Sequence, residues 1–82
     1  MAEILYFGRL ADVTGTPEET IALPASVETG SALRRWLEDR KALGGALLER
    51  TVRLAVNSEI VSDSHPVRDG DEIAFMPPVG GG

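Results

Sequence analysis

The chain has 82 residues, which is enough for one domain and leaves no room for a second, catalytic one. With 43% hydrophobic and 26% charged residues, its composition is typical of a folded globule and not of a disordered segment. Eight Lys and Arg residues against 13 Asp and Glu give a formal net charge of −5, so the chain lacks the basic surface of a nucleic-acid binder or of a membrane-surface helix.

The first predicted element is a strand at residues 3–7, which are rich in aromatic and branched side chains. Side chains alternate along a strand, so Ile4 and Tyr6 share one face while Leu5 and Phe7 share the other. Both faces are therefore apolar, which is unusual for a strand that has one side in water.

The next segments show weaker secondary-structure patterns. Residues 8–13 are short and mixed, with no predicted element, and residues 14–17 form a turn cluster. A second strand is predicted at residues 19–23, with Ile21 and Leu23 pointing inward, because its side chains alternate between polar and apolar.

One main helix follows, because Leu33, Trp36 and Leu37 recur at the spacing of a single apolar stripe. Thr29 is the first candidate for its N-cap and Ser26 the second, since a hydroxyl can accept a hydrogen bond from a free backbone amide. The opposite side of the helix is predicted to be polar, with Arg34, Arg35, Glu38 and Asp39.

After the helix, Gly44 and Gly45 break the pattern, and residues 46–50 are predicted to add one more turn. Three more strands are then predicted, at residues 52–56, 59–62 and 71–76. Asn57 and Ser58 favour a tight hairpin turn between the first two of these. In the last strand Ile73 and Phe75 share a face, with Ala74 and Met76 opposite.

The predicted order, β-β-α-β-β-β, indicates an α+β fold with one main helix packed across a mixed sheet of about five strands. The helical connection can place the last strand parallel to the first in the middle of the sheet, which is the β-grasp, or ubiquitin-like, architecture. The competing ferredoxin-like fold requires a second helix, which the pattern does not show. We expect the domain to span residues 1–76 and a flexible, extended C-terminal tail to span residues 77–82.

Few residues could carry catalysis. The sequence has no cysteine, which excludes disulfides, zinc–thiolate sites and iron–sulfur clusters. The single histidine, His65, lies in a predicted loop without a nucleophile beside it, and the nearby acidic residues lack the spacing of a calcium loop. We therefore predict no metal site and no self-sufficient enzyme. The opening residues lack the pattern of a signal peptide, and no apolar run reaches the ~20 residues of a membrane span, so we expect a cytoplasmic protein.

The end of the chain has an unusual composition, with Pro77 and Pro78 followed by Val79 and three glycines. A frayed terminus or a cloning remnant would explain the glycines without a function. The functional interpretation is a tail that inserts into another protein, because six residues reach roughly 20 Å and a terminal glycine presents an unhindered carboxylate. A carboxylate is a poor electrophile until it is activated, for example as an acyl-adenylate.

Two motifs near the end of the chain carry a resemblance to a known family. Residues 54–61 read LAVNSEIV, and residues 65–79 read HPVRDGDEIAFMPPV. Together with residues 5–8 and the glycines at 81–82, they resemble the small subunits of molybdopterin synthase, which are ubiquitin-like sulfur carriers. The resemblance covers nearly the whole chain and is weakest at residues 26–50.

The resemblance implies a role for the terminus. The carboxylate of Gly82 would be adenylated by an ATP-dependent activating enzyme and converted to a thiocarboxylate, with a sulfurtransferase as the sulfur source. It would then give sulfur to cyclic pyranopterin monophosphate during molybdenum cofactor biosynthesis. The residues of the tail would be Pro77, Pro78, Val79, Gly80, Gly81 and Gly82. Gly80 departs from the family, which usually has a small polar residue there.

The resemblance also implies a partner and a binding face. Two small and two large subunits would form the complex, and the catalytic side chains would belong to the large subunit. The partner-facing apolar positions map onto Phe7, Ile60 and Met76. This chain would bind no cofactor itself, no nucleic acid and no membrane, and ATP would be consumed by the activating enzyme.

Three alternatives remain open. One is a thiamine-pathway sulfur carrier of the same fold, although such carriers usually lack the Pro-Pro-Val before the glycines. Another is a ubiquitin-like modifier that is joined to lysines of target proteins after the same adenylation. The last is a binding module with a flexible tail and no chemistry at its terminus.

Overall fold

The computed structural model describes residues 1–78 and contains one sheet and two α-helices. In chain order its elements are β1 (Ala2–Tyr6), α1 (Arg9–Thr14), β2 (Glu18–Ile21), α2 (Gly30–Lys41), a 3₁₀ turn (Ala46–Leu48), β3 (Arg53–Val56), β4 (Glu59–Val61) and β5 (Glu72–Met76). The strand order in the sheet is β2-β1-β5-β3-β4, and β1 and β5 are parallel at its centre. This confirms the β-grasp prediction, with strand ends that differ from the predicted ones by one or two residues.

The centre of the sheet is built from apolar pairs. Ile4 of β1 lies beside Ile73 of β5, and Tyr6 lies beside Phe75 with the two rings stacked at a centroid distance of 6.1 Å. All four side chains are buried, so the face predicted for Ile4 with Tyr6 and the face predicted for Ile73 with Phe75 both point into the core. Helix α2 covers this face of the sheet, and Gly30 at its start packs so closely on Leu54 that a side chain there would collide with it.

The prediction that residues 8–13 form no helix or strand was wrong, because most of them lie in helix α1. This helix has only six residues and buries one large apolar side chain, Leu10, so it cannot show the repeating apolar spacing that identifies a longer helix. The element order is therefore β-α-β-α-β-β-β. A second helix thus exists, and the strand order, not the helix count, is what excludes a ferredoxin-like fold.

Helix α2 begins as predicted, because the Thr29 hydroxyl accepts a hydrogen bond from the Ala32 amide at 3.2 Å. Leu33 and Leu37 are fully buried, while Trp36 is partly buried and lies under the Arg40 guanidinium at 5.1 Å. Buried apolar side chains from β2, β3 and both α-helices complete the core, and the partly buried Val61 of β4 packs against it.

The polar side of α2 was predicted incorrectly, since Arg34 and Glu38 are both buried. Arg34 donates to the backbone carbonyls of Leu47 and Val52 at 2.7 and 2.6 Å, and to the Asp63 carboxylate at 3.0 Å. Glu38 accepts from the amide of Leu47 at 2.6 Å and from that of Gly45 at 2.8 Å. These two side chains hold the segment between α2 and β3 against the helix.

A second polar cluster joins β1, β2 and α2. The Tyr6 hydroxyl donates to the Glu19 carboxylate at 2.7 Å, and the Lys41 ammonium lies 2.9 Å from the same carboxylate. Burial, and then the hydrogen bond and charge of Glu19, raise the pKa of Tyr6 well above its ordinary value of 10.0. Burial also acts to raise the pKa of Glu19, but the hydrogen bonds from Lys41 and Tyr6, with the charges of Lys41 and Arg40, lower it overall.

The raised pKa of Tyr6 predicts a loss of stability in alkaline solution. A folded-state pKa above the unfolded one contributes stability that is complete below about pH 10 and declines as the pH rises further. Because Tyr6 is the only tyrosine in the sequence, tyrosinate absorbance reports on it alone. We expect tyrosinate to form only as the circular dichroism of the fold is lost, and the Tyr6→Phe variant to lose less stability above pH 10. Tyrosinate that forms near pH 10 in folded protein would contradict the prediction.

Candidate functional site: an open sheet face beside the tail root

The face of the sheet opposite α2 carries an exposed apolar surface. Six apolar side chains line a shallow depression of about 320 Å³, together with Ser58 and Glu72. We call these six the open-face patch: Leu5, Phe7, Ala55, Ile60, Ala74 and Met76. Phe7 and Ile60 are exposed and Leu5 and Met76 partly exposed, while the buried Ala55 and Ala74 lie between them. Contiguous exposed apolar surface of this kind marks interaction sites more often than isolated apolar residues do.

The three predicted partner-facing residues lie together in this patch. Phe7 is 48% exposed and Ile60 62%, although both are large apolar side chains, and Met76 is partly exposed. They come from the end of β1, from β4 and from the end of β5, so only the folded sheet brings them together. Their role in binding a partner remains a prediction.

The other members of the patch, Leu5, Ala55 and Ala74, were not among the predicted partner-facing residues. Leu5 shares a strand face with Phe7, and Ala74 shares one with Met76, so the alternation of side chains was a sufficient signal for both. Ala55 belongs to the patch because it pairs with Ile60 across the β3–β4 hairpin. That pairing depends on the two-residue turn, where Asn57 and Ser58 have φ values of 51° and 72°, as their sequence predicted.

The tail leaves the sheet at the edge of the open-face patch, and we call its first two residues, Pro77 and Pro78, the tail root. Pro77 follows Met76 directly and is partly buried, whereas Pro78 is exposed. Gly8 makes this possible, because it has a φ of 56° and a side chain there would lie 2.9 Å from the Pro77 ring. Predictions for Val79, Gly80, Gly81 and Gly82 concern residues outside those that the structure describes.

Two basic residues flank the start of the tail. Arg50, Thr51 and Arg53 line a depression with Pro77 and Pro78. Arg53 also pairs with Met76 across the ladder between β3 and β5. The tail root is therefore a local concentration of positive charge on an acidic chain.

His65 lines neither the open-face patch nor the depression beside Pro77 and Pro78. It lines a separate depression with Asn57, Arg68 and Asp71, whose side chains and backbone are hydrogen-bonded to one another. Within residues 1–78, no group of three or more His, Asp or Glu side chains is placed to hold a metal ion. None of the helices in the same range is long and apolar enough to cross a membrane.

Comparison with known sequences shows similarity over the full chain. The profile of the ThiS family matches residues 4–82. The molybdopterin synthase sulfur carrier subunit of Escherichia coli is 41% identical over 85 aligned positions, which cover all of both chains. The human protein of the same description is 36% identical, with 98% of this chain and 92% of the human one covered.

Solved structures are similar to this chain over nearly its whole length. A putative molybdopterin converting factor subunit 1 from Pyrococcus furiosus is 27% identical with a TM-score of 0.77, and 95% of this chain and 97% of that chain are covered. The small archaeal modifier protein 1 of Methanosarcina acetivorans is 26% identical with a TM-score of 0.76, covering 99% and 95%. A chain in the complex of subunits 1 and 2 of molybdopterin-converting factor from Helicobacter pylori is 26% identical with a TM-score of 0.67, covering 99% and 97%. By its sequence profile, its full-length relatives and its fold, the chain belongs to the ThiS family, in which its Escherichia coli and human relatives are described as molybdopterin synthase sulfur carrier subunits.

Proposed function

We propose that this protein is the sulfur carrier subunit of a cytoplasmic molybdopterin synthase, and that the carboxylate of Gly82 carries the sulfur. The observation that supports this most strongly is full-length identity of 41% with a relative that has this description. The tail root is in a suitable place for the role, because Pro77 and Pro78 lead the chain away from the central strand beside an exposed apolar face.

The proposed chemistry uses the terminus and no side chain of this protein. An activating enzyme transfers AMP from ATP to the Gly82 carboxylate, with release of pyrophosphate. Sulfide delivered by a sulfurtransferase then attacks the acyl carbon, so that a C–S bond replaces the C–O bond to AMP, AMP leaves, and a thiocarboxylate remains. Sulfur carried in this way needs no cysteine, and the sequence has none. The sulfur is finally transferred to cyclic pyranopterin monophosphate.

The proposed partner is the large synthase subunit, in a complex of two small and two large subunits. The relative from Helicobacter pylori was solved as a complex of subunits 1 and 2, which supports a partner of this kind. We assign the open-face patch to this contact because it is apolar, exposed and adjacent to the tail root. The tail, with a reach of roughly 20 Å, would enter the large subunit while the patch holds the domain in place.

Intact-mass measurement tests the sulfur-carrier chemistry. After incubation with ATP, the activating enzyme and a sulfur source, we expect the mass of the protein to increase by the difference between one sulfur and one oxygen. The increase should disappear when ATP is omitted, because the carboxylate is then not activated. An unchanged mass in the complete mixture would contradict the proposal.

Phe7→Asp tests the contact with the large subunit. Placing a carboxylate in the centre of an apolar interface should weaken binding by 2 kcal/mol or more, about thirtyfold, since buried aromatic anchors dominate interface energy. Val13→Asp is the matched control, because it adds the same single negative charge. Val13 is 44% exposed on α1 and lies outside the open-face patch. Calorimetric titration should show a loss for Phe7→Asp alone, with melting temperatures close to wild type. Equal affinity for both variants would show that the patch is assigned wrongly.

A second candidate function is protein modification. It is favoured by the similarity to the small archaeal modifier protein 1 of Methanosarcina acetivorans, whose fold is shared over nearly the whole chain. A modifier would be joined through its terminal glycine to lysines, and denaturing gels of cell extracts would then show a ladder of conjugates. Such a ladder, absent when Gly82 is deleted, would favour this function over sulfur transfer alone.

A further inference from the structure

The charges on the open face of the sheet are separated by sign along the strands. At the end where β1 and β5 begin, Glu3 lies beside Glu72 in the parallel register. At the end where both strands finish, Arg53 lies beside Met76, and Arg50 lines the tail root with it. The open-face patch lies between the two ends.

The acidic end is unfavourable in the isolated chain. Glu3 and Glu72 are exposed and directly adjacent, and like charges in that position destabilise a sheet. Glu18 of β2 is a third exposed carboxylate, but it pairs with Leu5 and so lies beside the middle of the open-face patch, not at the acidic end. Among residues 1–78 no Lys or Arg forms an ion pair with any of the three.

The basic end is formed by Arg50 and Arg53. The other ionic residues near the tail root, Arg9 and Glu49, already pair with each other at 3.4 Å. Within the described part of the chain, neither Arg50 nor Arg53 pairs with a carboxylate. Both are therefore free to meet negative charge on another protein.

We propose that this separation of charge sets the orientation in which the large subunit docks, an inference that rests on the proposed function. The surface of the partner would present carboxylates to Arg50 and Arg53, and Lys or Arg side chains to Glu3 and Glu72. The apolar patch alone cannot select this orientation, because hydrophobic contact is non-directional. Charge complementarity does select it, since a domain rotated by half a turn would bring like charges together at both ends.

The orientation matters because the tail leaves the sheet at the basic end only. A rotated domain would bury the same apolar patch and point the tail away from the place where it enters the large subunit. The charged ends therefore give the apolar contact a single orientation, in which the C-terminal tail points into the large subunit.

Charge reversal at each end tests the proposal. Arg53→Glu and Glu72→Lys would be compared with Arg35→Glu and Asp39→Lys, which change the net charge by the same amounts on the exposed side of α2. Association with the purified large subunit would be followed by stopped-flow at low and high salt. Both reversals on the sheet should slow association by about tenfold at low salt, and the difference should shrink at high salt. The α2 controls should stay within about twofold of wild type.

The outcomes separate this inference from the proposed function. If Phe7→Asp weakens binding but the sheet reversals behave like the α2 controls, the charges do not orient the partner and the docking face stands. If Arg53→Glu slows association while Glu72→Lys speeds it, the facing surface is uniformly acidic, and the inference is overturned. If Phe7→Asp has no effect, the docking face itself is wrong.

Discussion

Deletion of Gly82 should reduce molybdopterin formation by at least about 100-fold, because a reacting group displaced by about 1 Å can already lose that much rate. Removal of one residue draws the terminal carboxylate back by about 3.5 Å. Addition of one serine after Gly82 should be as damaging, since it replaces the unhindered glycine carboxylate with a different terminus. Formation of molybdopterin would be measured with the large subunit, the activating enzyme and a sulfur source.

Gly80→Ser is the matched control for these tail variants, because it keeps the length of the tail and the last two glycines. We expect it to retain nearly full activity. Melting temperatures should be unchanged for all three proteins, since the buried core lies within residues 2–75. Normal activity after deletion of Gly82 would rule out the terminal carboxylate as the carrier of sulfur.

Arg34→Met should cost about 3 kcal/mol of unfolding free energy, because a buried carbonyl left without a donor costs roughly 1–3 kcal/mol and this change leaves two. The two carbonyls belong to Leu47 and Val52, and both hydrogen bonds are buried. The pair with Asp63 adds little, since that carboxylate is about half exposed. A domain of ordinary stability, about 5–15 kcal/mol, would lose a substantial share.

The matched control is Arg35→Met, which removes the same side chain from the exposed side of the same helix. Surface substitutions of this kind usually change stability by no more than about 0.5 kcal/mol. Denaturant unfolding would compare the two variants, and hydrogen exchange at the amides of Gly45 and Leu47 would show whether their segment loosens first. Equal stability of Arg34→Met and Arg35→Met would mean that the Arg34 contacts do not hold this segment.

The contrast between Arg34 and Arg35 shows where the sequence is insufficient. Apolar periodicity correctly located Leu33 and Leu37 in the core, but it treats every charged residue as solvent-facing. Arg34 is buried because the segment after α2 folds back and offers it two carbonyl groups. The sequence contains no local signal for that contact, since the partners are 13 and 18 residues away.

The β-grasp prediction rests on the order of the elements, whereas the other predictions that succeeded rest on local rules. The alternation in β1, the Thr29 cap, the stripe on α2 and the left-handed turn at Asn57 and Ser58 each depend on neighbouring residues only. The short helix α1 was missed for the same reason, because six residues with one buried leucine carry too little periodicity.

By itself, the sequence determined the strands, the main helix and the terminal glycines, and its resemblance to a known family indicated the apolar positions Phe7, Ile60 and Met76. Only the tertiary structure decided that these three positions share one open face with Ala55, and that acidic and basic groups mark its opposite ends. The physical reason is that a sheet joins strands distant in sequence. Which side chains become neighbours depends on strand order and register, and neither is encoded within any single strand.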